Sequence, residues 1–442
     1  MIKNMTTDQL PIAIIGAGPV GLAAAAHLHK YKLPFILFEA GSAAGSNILN
    51  WMHVKVFSPW RYNIDKAAEA LLSETNWQSP DKEELHTGWE FYEQYLEPLT
   101  KHPFIQPFIH MNSKVVAISR KNMDKMKTKD REKQPFVLEV ETGKNTRFFE
   151  ARAVIDASGT WHNANPIGSG GLFAKGEKQN ADRIFYGIPD VAGSLKERYK
   201  NKNVLVIGSG HSAINTILEL DQLKSEFPET EIHWMFRKEK VSEVYGGKED
   251  DALPARGSLG IRIEKLINED RVSVYTPFYI QEIEKETGTL NIRGIQYGVR
   301  KQLSGIDEII ANTGARPDFS MLREVRVEFD STVESVPAIA DLIDPNIHSC
   351  GTVRAHGELE LRQKEKDFYV VGMKSYGRAP TFLMATGYEQ VRSIAAALAG
   401  DWESARRVEL DLPETGVCKS DGGGACCGAP EKEMELEQAC CG

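Results

Sequence analysis

Residues 11–21 read Pro-Ile-Ala-Ile-Ile-Gly-Ala-Gly-Pro-Val-Gly and run directly into Leu-Ala-Ala-Ala-Ala-His-Leu-His. An apolar run of strand length, a glycine turn and an alanine-rich helix follow one another, and no other stretch constrains the fold as strongly. Gly16 permits the tight turn, Gly18 lets backbone N–H groups approach a pyrophosphate, and Gly21 lets helix and strand pack closely. A phosphate would then rest on the helix N-terminus. A second strand over 35–38 ends in Glu39, eighteen residues past Gly21, where a carboxylate can accept both ribose hydroxyls of an adenosine. Strand, turn, helix and acid together predict a dinucleotide held by Gly16, Gly18, Pro19, Gly21 and Glu39.

At 442 residues the chain is too long for one compact core, and two or three domains are expected. A formal net charge of −9 argues against a nucleic-acid surface as the main partner. No apolar run approaches the roughly eighteen residues that span a bilayer, and residues 1–9 lack the apolar core of a signal peptide. A soluble, cytoplasmic protein is therefore expected. Cysteine usage is lopsided: Cys350 stands alone, while Cys418, Cys426, Cys427, Cys440 and Cys441 crowd the final stretch. That is not the disulfide framework of a secreted protein.

Residues 51–62, Trp-Met-His-Val-Lys-Val-Phe-Ser-Pro-Trp-Arg-Tyr, are too irregular for one helix or strand. Aromatics in a loop after a dinucleotide fold can wall a flat ring system, which makes Trp60 and Arg61 cofactor candidates; ordinary core is the competing reading. Apolar spacing through Ala67, Leu71 and Leu72, then Phe91, Tyr95 and Leu99, predicts helix across 64–100. Strands over 115–119 and 136–141 flank a charge run at 121–133 that reads as a solvated hairpin loop. A short buried strand within 151–161 closes at Ser158-Gly159 and would return the chain to the first sheet. The turn-rich passage 163–176 reads as a crossover to a new unit.

That unit opens at 203–213, Asn-Val-Leu-Val-Ile-Gly-Ser-Gly-His-Ser-Ala, again strand, glycine turn and helix, the helix over 214–223. Two such fingerprints mean two nucleotides. Gly208, Gly210, His211 and Ser212 form the second turn, and Ala213 replaces the third glycine. The following strand, 232–236, ends in Arg237-Lys238 instead of an acid. Cations there favour a 2′-phosphate, hence NADPH over NADH. His211 fits a turn residue better than a catalyst. Residues 243–257 suit a ligand-facing loop or a solvated one equally. The unit closes over 308–317 with Gly314, repeating the ending at Ser158-Gly159, so the second unit is expected to be inserted in the first. The last folded part is a strand and loop over 368–380 and a helix from about 382 to 398. Past Pro413 the sequence has no apolar period and a disordered tail is expected. The limits that follow are 1–165 and 317–412 for the first domain, 166–316 for the inserted one, and 413–442 for the tail.

With both fingerprints and both strand–glycine endings, residues 10–400 resemble the two-dinucleotide-domain flavoproteins. That group includes thioredoxin-reductase-like enzymes and the flavin-containing and Baeyer–Villiger monooxygenases. The resemblance implies an α/β fold of two Rossmann-like domains, FAD on the first, NADPH on the second and hydride transfer to the flavin. Gly372, Lys374 and Arg378 would then face the flavin, the two cations and the 382–398 helix N-terminus stabilising negative charge on its reduced form. Thiol-disulfide members carry a pair such as C-x-x-C beside the flavin, and 10–400 provides none. The monooxygenase signature F-x-G-x-x-x-H-x-x-x-W matches at Phe185 and Gly187, but Val191 and Leu195 stand where His and Trp belong. Met373 follows Gly372 where many reductases have Asp. Taken whole, the chain resembles bacterial flavoprotein monooxygenases associated with arsenic resistance.

The expected function is an FAD- and NADPH-dependent monooxygenase acting with O₂ on a small substrate such as a trivalent arsenical. The flavin would carry the chemistry, so no side-chain acid or nucleophile is assigned. The alternatives are an NADPH-dependent thiol or metal(loid) reductase, and a flavin-bearing redox sensor or binding protein. A homodimer is among the assemblies expected. Cys426-Cys427 and Cys440-Cys441 are vicinal pairs followed by glycine, and with Cys418 they form a candidate site for a soft metal(loid). Adjacent cysteines strain a disulfide, whereas soft thiolates select soft centres.

Overall fold

The computed structural model describes residues 7–347, 353–379 and 382–410. Its centre is a five-stranded parallel sheet built on β1 (Ile12–Ile15), whose four residues are all buried. A continuous buried run without alternation is what a strand covered on both faces needs. β1 lies between β2 (Phe35–Phe38) and a later strand, β7 (Ala153–Asp156). The short β3 (Ile109–His110) extends one edge, and β16 (Phe368–Val370) closes the other, giving the order β16-β7-β1-β2-β3. Chain from both ends of the sequence thus builds one sheet.

Between β7 and β16 the chain makes a second five-stranded parallel sheet. Its strands are β8 (Ile184–Tyr186), β9 (Asn203–Ile207), β10 (Glu231–Met235), β11 (Ser273–Tyr275) and β15 (Glu308–Ala311), in the order β11-β10-β9-β15-β8. Trp234 is fully buried in its core. Each parallel sheet carries an antiparallel meander: β4 (Lys114–Arg120), β5 (Phe136–Thr142) and β6 (Asn145–Ala151) in the first unit, β12 (Phe278–Glu286), β13 (Thr289–Gln296) and β14 (Val299–Ile306) in the second. The two crossings between the sheets lie side by side, with Ala164 bridged to Ala315 and Asn165 N donating to Gly314 O at 2.9 Å. This is the mixed α/β architecture of two Rossmann-like units.

Several expectations need correction. Residues 64–100 are not one helix: Lys66–Leu72 is followed by a long irregular stretch, and helix resumes only at Gly88–Phe91, continuing through Tyr92–Leu96 to Glu97–Lys101. Pro80 lies in the gap, and its missing N–H and fixed φ disfavour helix there. The charge run 121–133 is not wholly solvated, because Arg131 is 4% exposed and pairs with Glu365 at 2.9 Å. Residues 243–257 are not all loop: a helix, Pro254–Asn268, begins inside them. Cys350 and the five tail cysteines lie outside the described residues.

Candidate functional site

The first glycine turn is shaped by close approach of backbones. Gly16 has φ +96°, and a Cβ there would come within 2.8 Å of Ala157 O at the end of β7. Gly21 is tighter still, since its Cβ would lie 1.9 Å from Gly16 O. Gly18 has nothing within 4 Å of a notional Cβ, so the turn is open on that side. It is also the N-cap of the Pro19–Lys30 helix, which has Pro at its first position and no side-chain cap. The leading N–H groups of that helix therefore have no side-chain acceptor, the condition for holding an anion.

Glu39, at the end of β2, is 8% exposed. Its Oε2 accepts from Ala17 N at 2.8 Å, and its Oε1 accepts from Gly41 N at 2.7 Å and Ser46 Oγ at 3.1 Å. The carboxylate thus ties the end of the second strand to the glycine turn itself. At the end of β7, Asp156 is fully buried. It accepts from Ser158 Oγ at 2.6 Å and from Lys374 Nζ at 2.7 Å, and Lys374 Nζ also donates to Ser158 Oγ at 3.0 Å. Gly159 follows with φ +69° and open space beyond it. Gly372, with φ +66°, donates its N–H to Gln390 Oε1 at 2.7 Å and sits against Val20 of the first helix. Gly16, Gly18, Pro19, Gly21, Glu39, Ser158, Gly159, Gly372 and Lys374 therefore converge on one edge of the sheet, at the C-terminal ends of β1, β2, β7 and β16.

Two expected contacts, Trp60 and Arg61, fall elsewhere, while Lys374 lies beneath the site and Arg378 is exposed. Trp60 is 2% exposed and packed 4.0 Å from the His86 ring and 6.0 Å from Phe91, so it is core. Arg61 is exposed, paired with Glu83, and faces a cavity beside the C-terminal half of the first helix, away from the glycine turn. Lys374 is 1% exposed and committed to Asp156, so its charge is already neutralised beneath the site. Arg378 is exposed, and its backbone N–H donates to Val333 O at 2.7 Å.

The second turn repeats the plan. Gly208 has φ +137°, and a Cβ there would lie 2.2 Å from Asn312 O. Gly210 has open space about it and caps the His211–Glu226 helix without a side-chain bond. His211 and Ser212 are exposed in its first turn. The His211 ring lies 5.5 Å from Phe57, a residue of the first unit, and the Arg256 guanidinium stands 5.9 Å from the same Phe57 ring. Although the residue as a whole stays exposed, desolvation of its ring by the groups packed around it, then the Arg256 charge, lower the His211 pKa below its ordinary value. Arg256 is itself held by Asp251 through two 2.8 Å bonds. Arg237 and Lys238 are exposed past the end of β10; Arg237 Nη1 donates to Ser169 O at 3.0 Å and Lys238 Nζ to Glu243 O at 2.7 Å.

Gly314, with φ +77°, ends the second unit as Gly159 ends the first part of the other. Beside it are groups the sequence reading missed. Asn165 Oδ1 and Asn312 Oδ1 are buried without a partner among the described residues, while their Nδ2 groups donate to Thr313 O and Gly187 O. Unpaired buried acceptors are costly, and a water or a ligand donor would complete them. Among the described residues no cluster of His, Cys, Asp or Glu is arranged to hold a metal.

Two uncapped glycine turns facing strand ends decide the family. Residues 13–342 match the pyridine nucleotide-disulphide oxidoreductase family. The chain belongs to it. No curated protein matches the sequence. Solved structures share the fold at low identity. Bacillithiol disulfide reductase Bdr from Bacillus cereus is 16% identical, with a TM-score of 0.65 over 88% of this chain and 99% of its own. The cadaverine monooxygenase DfoA from Erwinia amylovora, bound to FAD, is 13% identical, with a TM-score of 0.65 over 95% and 100%. The ornithine N-hydroxylase KtzI from Kutzneria sp. 744, with reduced FAD, NADP⁺ and ornithine, is 14% identical, with a TM-score of 0.56 over 91% and 99%. These neighbours include a disulfide reductase and hydroxylating enzymes, and a shared fold alone does not choose between such activities.

Proposed function

We propose that this chain is an FAD- and NADPH-dependent oxidoreductase that works as a monooxygenase on a small substrate. FAD is held at Gly16, Gly18, Pro19, Gly21, Glu39, Ser158, Gly159 and Gly372, and NADPH at Gly208, Gly210, His211, Ser212, Gly314, Arg237 and Lys238. Residues 1–165 and 317–412 form the FAD domain, 166–316 the NADPH domain, and 413–442 a tail. When bound, FAD supplies the two-electron chemistry and NADPH the hydride. The protein's own groups bind and orient: open helix N-termini at Gly18 and Gly210 receive phosphate, and Asn165 and Asn312 offer acceptors at the second strand end.

One observation carries the monooxygenase reading over the reductase. No cysteine lies among the described residues, so the FAD edge has no thiol pair there to pass electrons to a disulfide. Oxygen transfer needs no such group, and it balances as substrate, O₂, NADPH and H⁺ giving oxygenated substrate, NADP⁺ and water. The tail thiols Cys418, Cys426, Cys427, Cys440 and Cys441 favour a soft cargo, and a trivalent arsenical is the substrate proposed. The same thiols support the second reading, a reductase whose acceptor is the tail or a metal(loid) on it. Oxygen uptake and NADPH oxidation by the purified holoprotein, with and without a trivalent arsenical, separate the two. The first reading expects both rates to rise together, with pentavalent, oxygenated arsenic as product. NADPH oxidation that continues without oxygen and vanishes when the tail cysteines are replaced by serine would overturn it.

A further inference from the structure

On the side of the Pro19–Lys30 helix remote from its glycine turn lies a cavity of about 890 Å³. It runs between the end of that helix, the Lys66–Leu72 helix and the start of the Met384–Leu398 helix. Ala26, Leu71 and Tyr388 are buried and form an apolar floor, whereas Lys30 and Lys32 are exposed at its rim. His27 contributes to the lining and is 3% exposed. Its Nε2 lies 3.0 Å from Asp65 Oδ2, while Nδ1 is buried with no partner among the described residues.

The chain itself is led to this cavity. Arg392 donates to Ser404 O at 2.7 Å and to Arg407 O, Glu409 N donates to Glu389 Oε1 at 3.1 Å, and Lys66 Nζ donates to Glu409 O at 3.4 Å. Leu410, where the described residues end, lines the cavity. The residues that follow are Asp411-Leu-Pro-Glu-Thr-Gly-Val417, apolar positions interleaved with two acids and no cation. That pattern complements an apolar floor rimmed by lysines.

We propose that residues 411–417 dock in this cavity, with Leu412 and Val417 on the apolar floor and Asp411 and Glu414 facing Lys30 and Lys32. A segment joined to the cavity edge by no linker at all has an effective concentration in about the millimolar range, so a heptapeptide of weak intrinsic affinity still occupies the site. Docking would fix the origin of the cysteine-bearing stretch 418–442 to the first unit, whatever the thiols then bind. It does not depend on the monooxygenase reading.

The test is hydrogen exchange on the FAD-loaded full chain, on a chain ending at Leu410, and on full-length Leu412→Asp. In the full chain, amides over 24–32 and 66–72 are expected to exchange roughly tenfold more slowly than in either variant. Lys30→Glu/Lys32→Glu should lose part of that protection, and a synthetic 411–417 peptide at millimolar concentration should restore it to the shortened chain. Equal exchange in the full chain and in Leu412→Asp overturns the proposal. So does protection that rises with protein concentration, which means a second copy covers the cavity, or a small molecule released from it on denaturation.

Discussion

The two glycine turns have the same plan and are held by different means. In the first, the helix meets the turn at Gly21, where a Cβ would stand 1.9 Å from Gly16 O. At the equivalent place in the second, Ala213 is accommodated and fully buried, while both turns keep a close approach at their first glycine, Gly16 against Ala157 O and Gly208 against Asn312 O. Charge is treated differently as well. Beneath the first turn the buried Asp156 meets a buried Lys374 at 2.7 Å, and Glu39 is satisfied by two backbone amides and a hydroxyl. Each turn also has an unpartnered buried oxygen beside it among the described residues, Asn47 Oδ1 next to Ser46 at the first and Asn165 Oδ1 and Asn312 Oδ1 at the second. The buried Asp156–Lys374 pair and the bonded Glu39 fix the first seat in place, and such preorganisation suits a cofactor that stays. At the second seat the bonds beside the turn run from amides to backbone carbonyls, Asn165 to Thr313 O and Asn312 to Gly187 O, which suits a ligand that arrives and departs.

The largest effect should come from breaking the buried ion pair of the first turn. Lys374→Met strands the Asp156 carboxylate in a fully buried position, and breaking such a pair costs about 3–5 kcal/mol. Asp156→Asn/Lys374→Met removes both charges and should recover most of the loss in urea unfolding. A single variant within about 1 kcal/mol of the parent would mean that solvent reaches the pair. Next in size is the third glycine. Gly21→Ala forces a Cβ onto backbone and should cost about 3 kcal/mol, whereas Ala213→Gly loses only helix propensity, about 1 kcal/mol. Equal midpoint shifts for the two would erase the distinction between the turns.

Much of this contrast is legible in the sequence, and what is not has a common cause. Strand, turn and helix at 12–30 and 203–226 are local patterns, as are the endings at Gly159 and Gly314. The buried partners are not local. Lys374 is 218 residues from Asp156, and Arg131 is 234 from Glu365. A cation in either place therefore looks like a free surface charge. Trp60 fails for a similar reason, its neighbours His86 and Phe91 arriving from beyond an irregular stretch that apolar spacing renders as helix. The meander over 278–306 escapes notice because its last strand, Val299–Ile306, is exposed along most of its length and carries no apolar alternation.

The exposed cations past β10 sharpen the comparison at the level of binding. The first unit ends its second strand in Glu39, turned inward; the second ends in Arg237 and Lys238, turned outward. If they read a 2′-phosphate, Arg237→Ala loses a charge-assisted contact and should raise the Michaelis constant for NADPH about tenfold. The constant for NADH should stay as it is. An equal rise for both cofactors would make Arg237 a general support of the loop through Ser169, to whose carbonyl it already donates.

The smallest expected effect concerns the unpaired acid of the second unit. Burial, and secondarily the nearby Asp190, push the Glu219 carboxyl up to about 7, and its Oε2 has no partner among the described residues. A carboxyl whose pKa is raised on folding binds its proton more tightly in the folded state than in the unfolded one. The folded state is therefore favoured below the unfolded value of about 4.5, and that advantage is lost as pH rises through about 7. Because Glu219 is only partly enclosed, the loss between pH 5 and pH 8 should be on the order of 1 kcal/mol. Glu219→Gln stays neutral throughout, so it should match the parent at pH 5 and exceed it at pH 8 in urea unfolding. The paired first unit offers the control: Lys374→Met should be destabilised at both pH values, because Asp156 remains buried in each. If Glu219→Gln shifts stability by the same amount at pH 5 and pH 8, then Glu219 is ionised in the folded protein. The second unit would then be as well compensated as the first.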